Sequence, residues 1–201
     1  MIYHGDALEY IYETPKILKQ ILIHQEEILQ DKDKLCATKI GEVILTGSGS
    51  SYNAAVCATA FARKLLGIRV SAVYPVSLVE ELETISEHAL ILGISQQGTS
   101  TAVIRALDMA NENGISTVAV TGEHNTEIIK HADACLYVEC GYEDAGATTK
   151  GFTATVMTLM LFFITLGIDM NRISVEEAKL YRERLEDVVN NTSIVLEESL
   201  P

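Results

Sequence analysis

Residues 44–55 read ILTGSGSSYNAA. An apolar run ends in a loop holding two glycines and three serines, and a helical pattern opens at once behind it. The reading is strand, tight turn, helix start. Gly47 and Gly49 let the backbone turn sharply and approach a ligand closely. Ser50 and Ser51 stand at the mouth of the helix, where unpaired amides and the positive end of the helix dipole favour an anion. The competing reading is that one of these serines only caps its helix. The loop lacks the Gly-Lys-Ser/Thr ending of a Walker motif and the glycine spacing of a dinucleotide-binding turn.

Outward from this stretch, short β-branched runs alternate with helical patterns. The candidate strands are 42–46, 69–74, 89–95, 116–120 and 134–138. Helical patterns are expected over 52–66, 77–84, 100–113, 125–131 and 147–166. Strands apolar on both faces indicate a sheet covered on both sides. The expected fold class is therefore α/β: a three-layer, doubly wound, five-stranded parallel sheet with right-handed crossovers. Flanking helices are expected at 7–31, with an entry point at Thr14-Pro15, and at 175–190.

The bulk composition limits the function. The chain has 201 residues, 48% hydrophobic and 21% charged, with a formal net charge of −13. Such a chain packs a core and has no bulk attraction for nucleic acid or an anionic membrane. Four cysteines (Cys36, Cys57, Cys135, Cys140) form no CxxC pair, and no histidine lies at zinc spacing from one. Buried reduced thiols, and hence a cytoplasmic protein without a bound metal, are expected. Residues 151–168 carry no charge. Four threonines and two glycines in that run favour a buried helix, at a subunit interface, over a membrane span.

Two further polar segments follow candidate strands. SQQGTST, 95–101, repeats the strand, glycine turn and helix start of the first loop. In an open parallel sheet two such loops can converge on one pocket. CGYEDAGATTKGFT, 140–153, brings Glu143, Asp144, two threonines and Lys150. Lys150 is a candidate for a fixed positive charge in the pocket, against a solvated lysine at a helix start. Glu143 is a candidate general base, though a carboxylate favourably placed near a helix N-terminus is the stronger expectation. His124 follows a strand on the side of the pocket. His88, His131, His24 and His4 read as positions without function.

Taken together, GSGSSYN, SQQGTST and YEDAGATTKGFT resemble the sugar isomerase (SIS) domain pattern. That pattern runs G-x-G-[ST]-S-Y-N, then S-Q-S-G-E-T, then T-E-x-x-x-A-S-T-K-[AG]-[FY]-T. The resemblance is to the first of the two such domains in the isomerase half of glucosamine-6-phosphate synthase and related phosphosugar isomerases and deglycases. It extends to EYIYETPKILK near the N-terminus and covers nearly the whole chain. It implies that Ser50, Ser51, Ser95, Gln96 and Ser100 hold a sugar phosphate. Gln97 stands at a third phosphate-loop position where the family has Ser, and Gly146 lies in the segment facing the sugar. Thr99 stands where the family often has Glu.

The resemblance also implies a division of the chain. Residues 1–36 form a helical lead-in, 37–170 a phosphosugar-binding SIS domain, and 171–201 a helix and tail leading toward a second SIS domain. The family's catalytic pieces, a Lys-Glu pair and a Glu-Leu-Lys-His-Gly segment, lie in that second domain. At the corresponding places this chain reads FARKLLG and VSLVEELE. The implied function is the phosphate-binding half of an aldose–ketose isomerase or deglycase acting on an amino sugar phosphate. Base and histidine would come from a second half or a partner subunit, and no cofactor is required. A non-catalytic phosphosugar sensor is the alternative, and a self-sufficient isomerase using Glu143 and His124 is a third reading. A homodimer is the default expectation.

Overall fold

The structure, a computed structural model, describes residues 6–28, 35, 39–145 and 148–199. Five strands form the sheet: β1 (Glu42–Gly47), β2 (Arg69–Val73), β3 (Ala89–Ile94), β4 (Ser116–Thr121) and β5 (Ala134–Tyr137). All neighbours pair in parallel, in the order β2-β1-β3-β4-β5. This is the doubly wound parallel sheet expected from the alternating pattern. The helices are α1 (Ala7–Ile23), α2 (Gln25–Ile28), α3 (Ser50–Leu66), α4 (Pro75–Glu81), α5 (Thr101–Glu112), α6 (Lys150–Asp169) and α7 (Val175–Ser199).

The period-2 alternation of each strand divides the core in two. Val43 and Leu45 of β1, with Leu90, Leu92 and Ile94 of β3, face α1, α3, α6 and α7. Ile44, Ile91 and Ala119 face the other way, onto α4 and α5 through Leu78, Val103 and Leu107. Because both faces are covered, the strand interiors are mostly apolar, and a buried polar side chain such as Thr117 is paired, here with Asn111 and Asp133. Helix α6 lies within its layer, packed against α3, α1 and α7. It is, among the described residues, the one helix long and apolar enough to cross a membrane, and 72% of its apolar window is buried inside the fold. Val156 and Met160 are its partly exposed residues along an apolar groove shared with Phe61 and Tyr181.

Several local expectations are corrected. Helix α1 runs unbroken through Pro15, and its N-cap is Asp6, whose carboxylate accepts from Leu8 N at 2.9 Å. The Thr14 hydroxyl, expected to cap, donates back to Tyr10 O at 3.1 Å. An interior proline costs about 3 kcal/mol, and buried Leu18 and Ile21 offset this by docking the helix on the core. The turn at 127–131 is a 3₁₀ helix. Helix α7 runs to Ser199 and starts at a capping box, in which Ser174 Oγ accepts from Glu177 N and Glu177 Oε2 accepts from Ser174 N. Cys57 is exposed, whereas Cys135 and Cys140 are buried. Cys36 and His4 lie outside the described residues.

His131 is not a free surface residue. Its Nδ1 lies 2.6 Å from Asp108 Oδ1 and its Nε2 3.4 Å from Glu127 Oε1. The bond to Asp108 is the main cause holding the imidazole above its ordinary value of 6.5. Glu127 is held below 4.5, chiefly by its bond from Lys130. The folded state thus binds the His131 proton more tightly than the unfolded chain does. That stabilisation is complete below 6.5 and disappears as pH rises through the raised value; the Glu127 contribution is lost as pH falls through its lowered one. In thermal melts, the advantage of wild type over His131→Gln should be largest near about pH 6 and shrink toward about pH 9. A constant gap across that range would show that no charged pairing is present.

The second loop depends on Gly98, whose φ is +63° and whose added Cβ would lie 2.3 Å from Thr126 Cβ. Neither the backbone conformation nor the space admits a side chain. Gly98→Ala is expected to cost about 1–3 kcal/mol in urea unfolding.

Candidate functional site

The crevice at the carboxyl ends of the strands opens where strand order reverses, between β1 and β3. Helix α3 leaves β1 on one face of the sheet and α5 leaves β3 on the other. Their N-termini flank one cleft of about 260 Å³. It is lined by Ser48 and Ser51 of the first loop, Ser95 to Gln97, Thr99 and Ser100 of the second, Glu123 after β4, and Tyr142, Glu143, Ala145 and Thr148 of the third. The three segments singled out in the sequence therefore meet in space.

Gly47 sets the close fit of the first loop. A Cβ there would come within 3.0 Å of Ser51 Cβ and 3.2 Å of Ile94 O, so the start of α3 lies directly against β1 and β3. Neither helix at the cleft is capped by its own N-cap side chain. Gly49 has none to offer, and Ser100 makes no such bond. The cap-only reading of these serines is therefore not what the geometry shows. Ser50 Oγ pairs instead with Thr148 Oγ1 at 2.6 Å, which ties the first loop to the third. Ser50 itself is not among the lining residues, whereas Ser51 is. Ser95 is buried, and its Oγ accepts from Ser100 N at 3.4 Å, which closes the second loop on itself.

Gln96 lines the cleft and also ties the second loop to its surroundings. Its carbonyl accepts from Gly122 N at 2.9 Å, and its amide Nε2 donates to Cys140 Sγ. Thr155 Oγ1 donates to its Oε1 at 3.5 Å. The carbonyl thus ties the second loop to the end of β4, and the side chain ties it to the third loop and α6. Burial pushes the Cys140 thiol up to about 11, so it stays protonated and inert at neutral pH.

Glu143 lines the cleft, but its carboxylate is already engaged. Oε1 accepts from Thr149 N at 2.6 Å and Thr149 Oγ1 at 2.7 Å, and Oε2 accepts from Gly151 N at 3.0 Å. This is the capping arrangement expected of a carboxylate near a helix N-terminus. Lys150 is not among the residues lining the cleft. It is buried, with Nζ donating to Glu13 Oε2 at 2.6 Å, so it is neither a pocket cation nor a solvated lysine. His124 is exposed, lies 3.0 Å from Glu139 Oε1 and stacks on Tyr137; it does not line the cleft. Gly146 lies outside the described residues.

Sequence reasoning passed over Ser48, Glu123 and Tyr142. Ser48 sat inside the quoted loop. Glu123 directly follows a strand end, the position that doubly wound sheets give to ligand contacts. No lysine, arginine or histidine lines the cleft among the described residues. What it offers an anion is hydroxyls and the amides of two helix starts.

Comparison with known proteins agrees with this arrangement. Residues 38–165 match the family model of the SIS domain. Glutamine–fructose-6-phosphate aminotransferase (isomerizing) of Halobacterium salinarum is 26% identical over 208 residues, covering 98% of this chain and 34% of that protein. A solved protein assigned as a phosphosugar isomerase from Clostridium difficile shares 29% identity at a TM-score of 0.83, over 94% of this chain and 53% of its own. A sugar binding protein from Salmonella typhimurium shares 31% at 0.80, over 91% and 55%. The chain spans about a third of the length of the curated relative and just over half of the solved ones. With the family model aligned to well over half of its residues, and with its three loops gathered at one cleft, the chain belongs to the SIS domain family.

Proposed function

We propose that this chain binds a sugar phosphate in the cleft between β1 and β3. The observation that carries the reading is the pair of helix N-termini, α3 and α5, which meet there without side-chain caps. The phosphate sits on their amides and on the hydroxyls of Ser51, Ser95 and Ser100, with Gln97 and Thr99 beside it. Ser50 acts from behind this layer through Thr148. The sugar extends toward the third loop, Tyr142 to Thr148, which includes Gly146.

In this reading residues 37–170 form the binding domain, and the chain is the phosphate-binding half of an aldose–ketose isomerase or deglycase for an amino sugar phosphate. The name of the Halobacterium relative, an isomerizing fructose-6-phosphate aminotransferase, and the phosphosugar isomerase and sugar binding roles assigned to the solved proteins support the substrate class. Moving a proton between C1 and C2 needs a base and, for ring opening, an acid. Glu143 already accepts three hydrogen bonds and no histidine lines the cleft among the described residues, so in this reading both groups come from a second SIS half or a partner subunit. The apolar groove of α3, α6 and α7 gives such a pairing, or a homodimer, a surface. The working compartment is the cytoplasm. The engagement of Glu143 also fits a non-catalytic phosphosugar sensor.

Calorimetric titration with fructose 6-phosphate and glucosamine 6-phosphate tests the binding, with the unphosphorylated sugars as controls. Phosphate-dependent binding should weaken by roughly tenfold or more in Ser51→Ala/Ser95→Ala, since each hydroxyl gives up a bond to a charged group. Binding of neither ester would sink the reading. Turnover on adding a second SIS half separates the isomerase from the sensor. Glu143→Ala should lower stability by about 1–3 kcal/mol in urea unfolding. Turnover by the chain alone, abolished in Glu143→Gln, would instead make Glu143 the base.

A further inference from the structure

The third wall of the cleft, Gly141 to Thr149, contains no helix or strand among its described residues. The sheet does not fix it. Helix α1 reaches the wall itself at Asp144 and, directly behind it, the first residue of α6 at Lys150. Tyr10 Oη accepts from Asp144 N at 3.0 Å, and Glu13 Oε2 accepts from Lys150 Nζ at 2.6 Å. The Lys150 ammonium also lies over the Tyr10 ring, 4.6 Å from its centroid.

Lys150 is an unusual choice for its place. Its side chain is only 6% exposed. It is the first residue of α6, where the helix dipole disfavours a cation. Burial of an ion pair returns little stability but fixes geometry, because the charge accepts few arrangements. Tyr10 and Glu13 lie outside the matched family region, residues 38–165. We infer that helix α1 is a strut that positions the sugar-facing wall of the cleft, with Tyr10, Glu13 and Lys150 as its positioning residues. None of the three lines the cleft. The inference rests on the ligand reading above for its effect on binding, but not for the strut itself.

Two variants separate these parts. Tyr10→Phe removes the acceptor for Asp144 N and keeps the ring. Lys150→Met removes the ion pair with a side chain of similar length, and leaves Glu13, which is 50% exposed, to the solvent. Hydrogen exchange of the Asp144 amide should speed up roughly tenfold in each, with β1 and β3 protection unchanged. Affinity for fructose 6-phosphate should fall roughly fivefold. Tyr10→Phe carries the test alone if Lys150→Met does not fold. Unchanged exchange at Asp144 overturns the strut. Faster exchange with wild-type affinity, in a chain that binds the ester, overturns its role in shaping the cleft. If wild type binds no hexose phosphate, the ligand reading fails, and the exchange rates still decide whether α1 holds the wall.

Discussion

Right-handed crossover in a parallel sheet is the constraint from which the site follows. From β1 the chain crosses through α3 on one face to reach β2 at the edge. It then returns through α4 on the opposite face to β3, and continues outward through α5 on that same face. Both directions are right-handed only because the faces differ. Helices leaving adjacent strands on opposite sides diverge, and the gap between their N-termini cannot be filled by either. A cleft at β1/β3 is therefore a consequence of strand order. The residues decide only what it holds.

What they supply is unusual for an anion site in a chain of net charge −13. Two carboxylates, Glu123 and Glu143, line the cleft and no cation does, among the described residues. The repulsion from Glu143 is reduced because its charge is spent on the α6 amides and Thr149. Attraction must come from fixed dipoles. Amides at helix starts need no counterion and lose little side-chain entropy on binding, unlike a lysine. They are also short-ranged, so they add no general attraction for polyanions.

Most of the framework was legible in the sequence because it is local. Strands such as Val43–Leu45 and Leu90–Leu92 declare themselves by being apolar on both faces, and Gly47 and Gly98 mark the turns behind them. The gathering of the three loops followed from the parallel-sheet rule together with a family resemblance. What was not legible depends on distant partners. Pro15 reads as a helix start, and only the docking of Leu18 and Ile21 on the core shows why the helix tolerates it. Lys150 reads as a pocket cation or a solvated lysine, because its partner Glu13 lies far back in the chain. Gln96 reads as a ligand contact and does line the cleft, but its bond to the Cys140 thiol of another loop had no local signal. Cys57 lies on an Ala-rich helix and reads as core, although its face of α3 is outward.

The walls of the cleft differ in how they are held, and that difference bears on specificity. The first two are helix starts pressed against the sheet, with Gly47 and Gly98 leaving no slack for even a methyl group. Such walls can change little without loss of the fold, which suits a phosphate, the same group in every sugar ester. The third is tied through side chains: Ser50 to Thr148, Glu143 to α6, and Tyr10 to Asp144, with Glu13 holding Lys150 at the start of α6 behind it. Its outer residues, such as exposed Tyr142, can be exchanged at little cost to the core. Under the proposed reading, a scaffold built this way keeps its phosphate seat fixed while the sugar-facing wall varies, and the choice among sugars falls to the third loop and the helix that braces it.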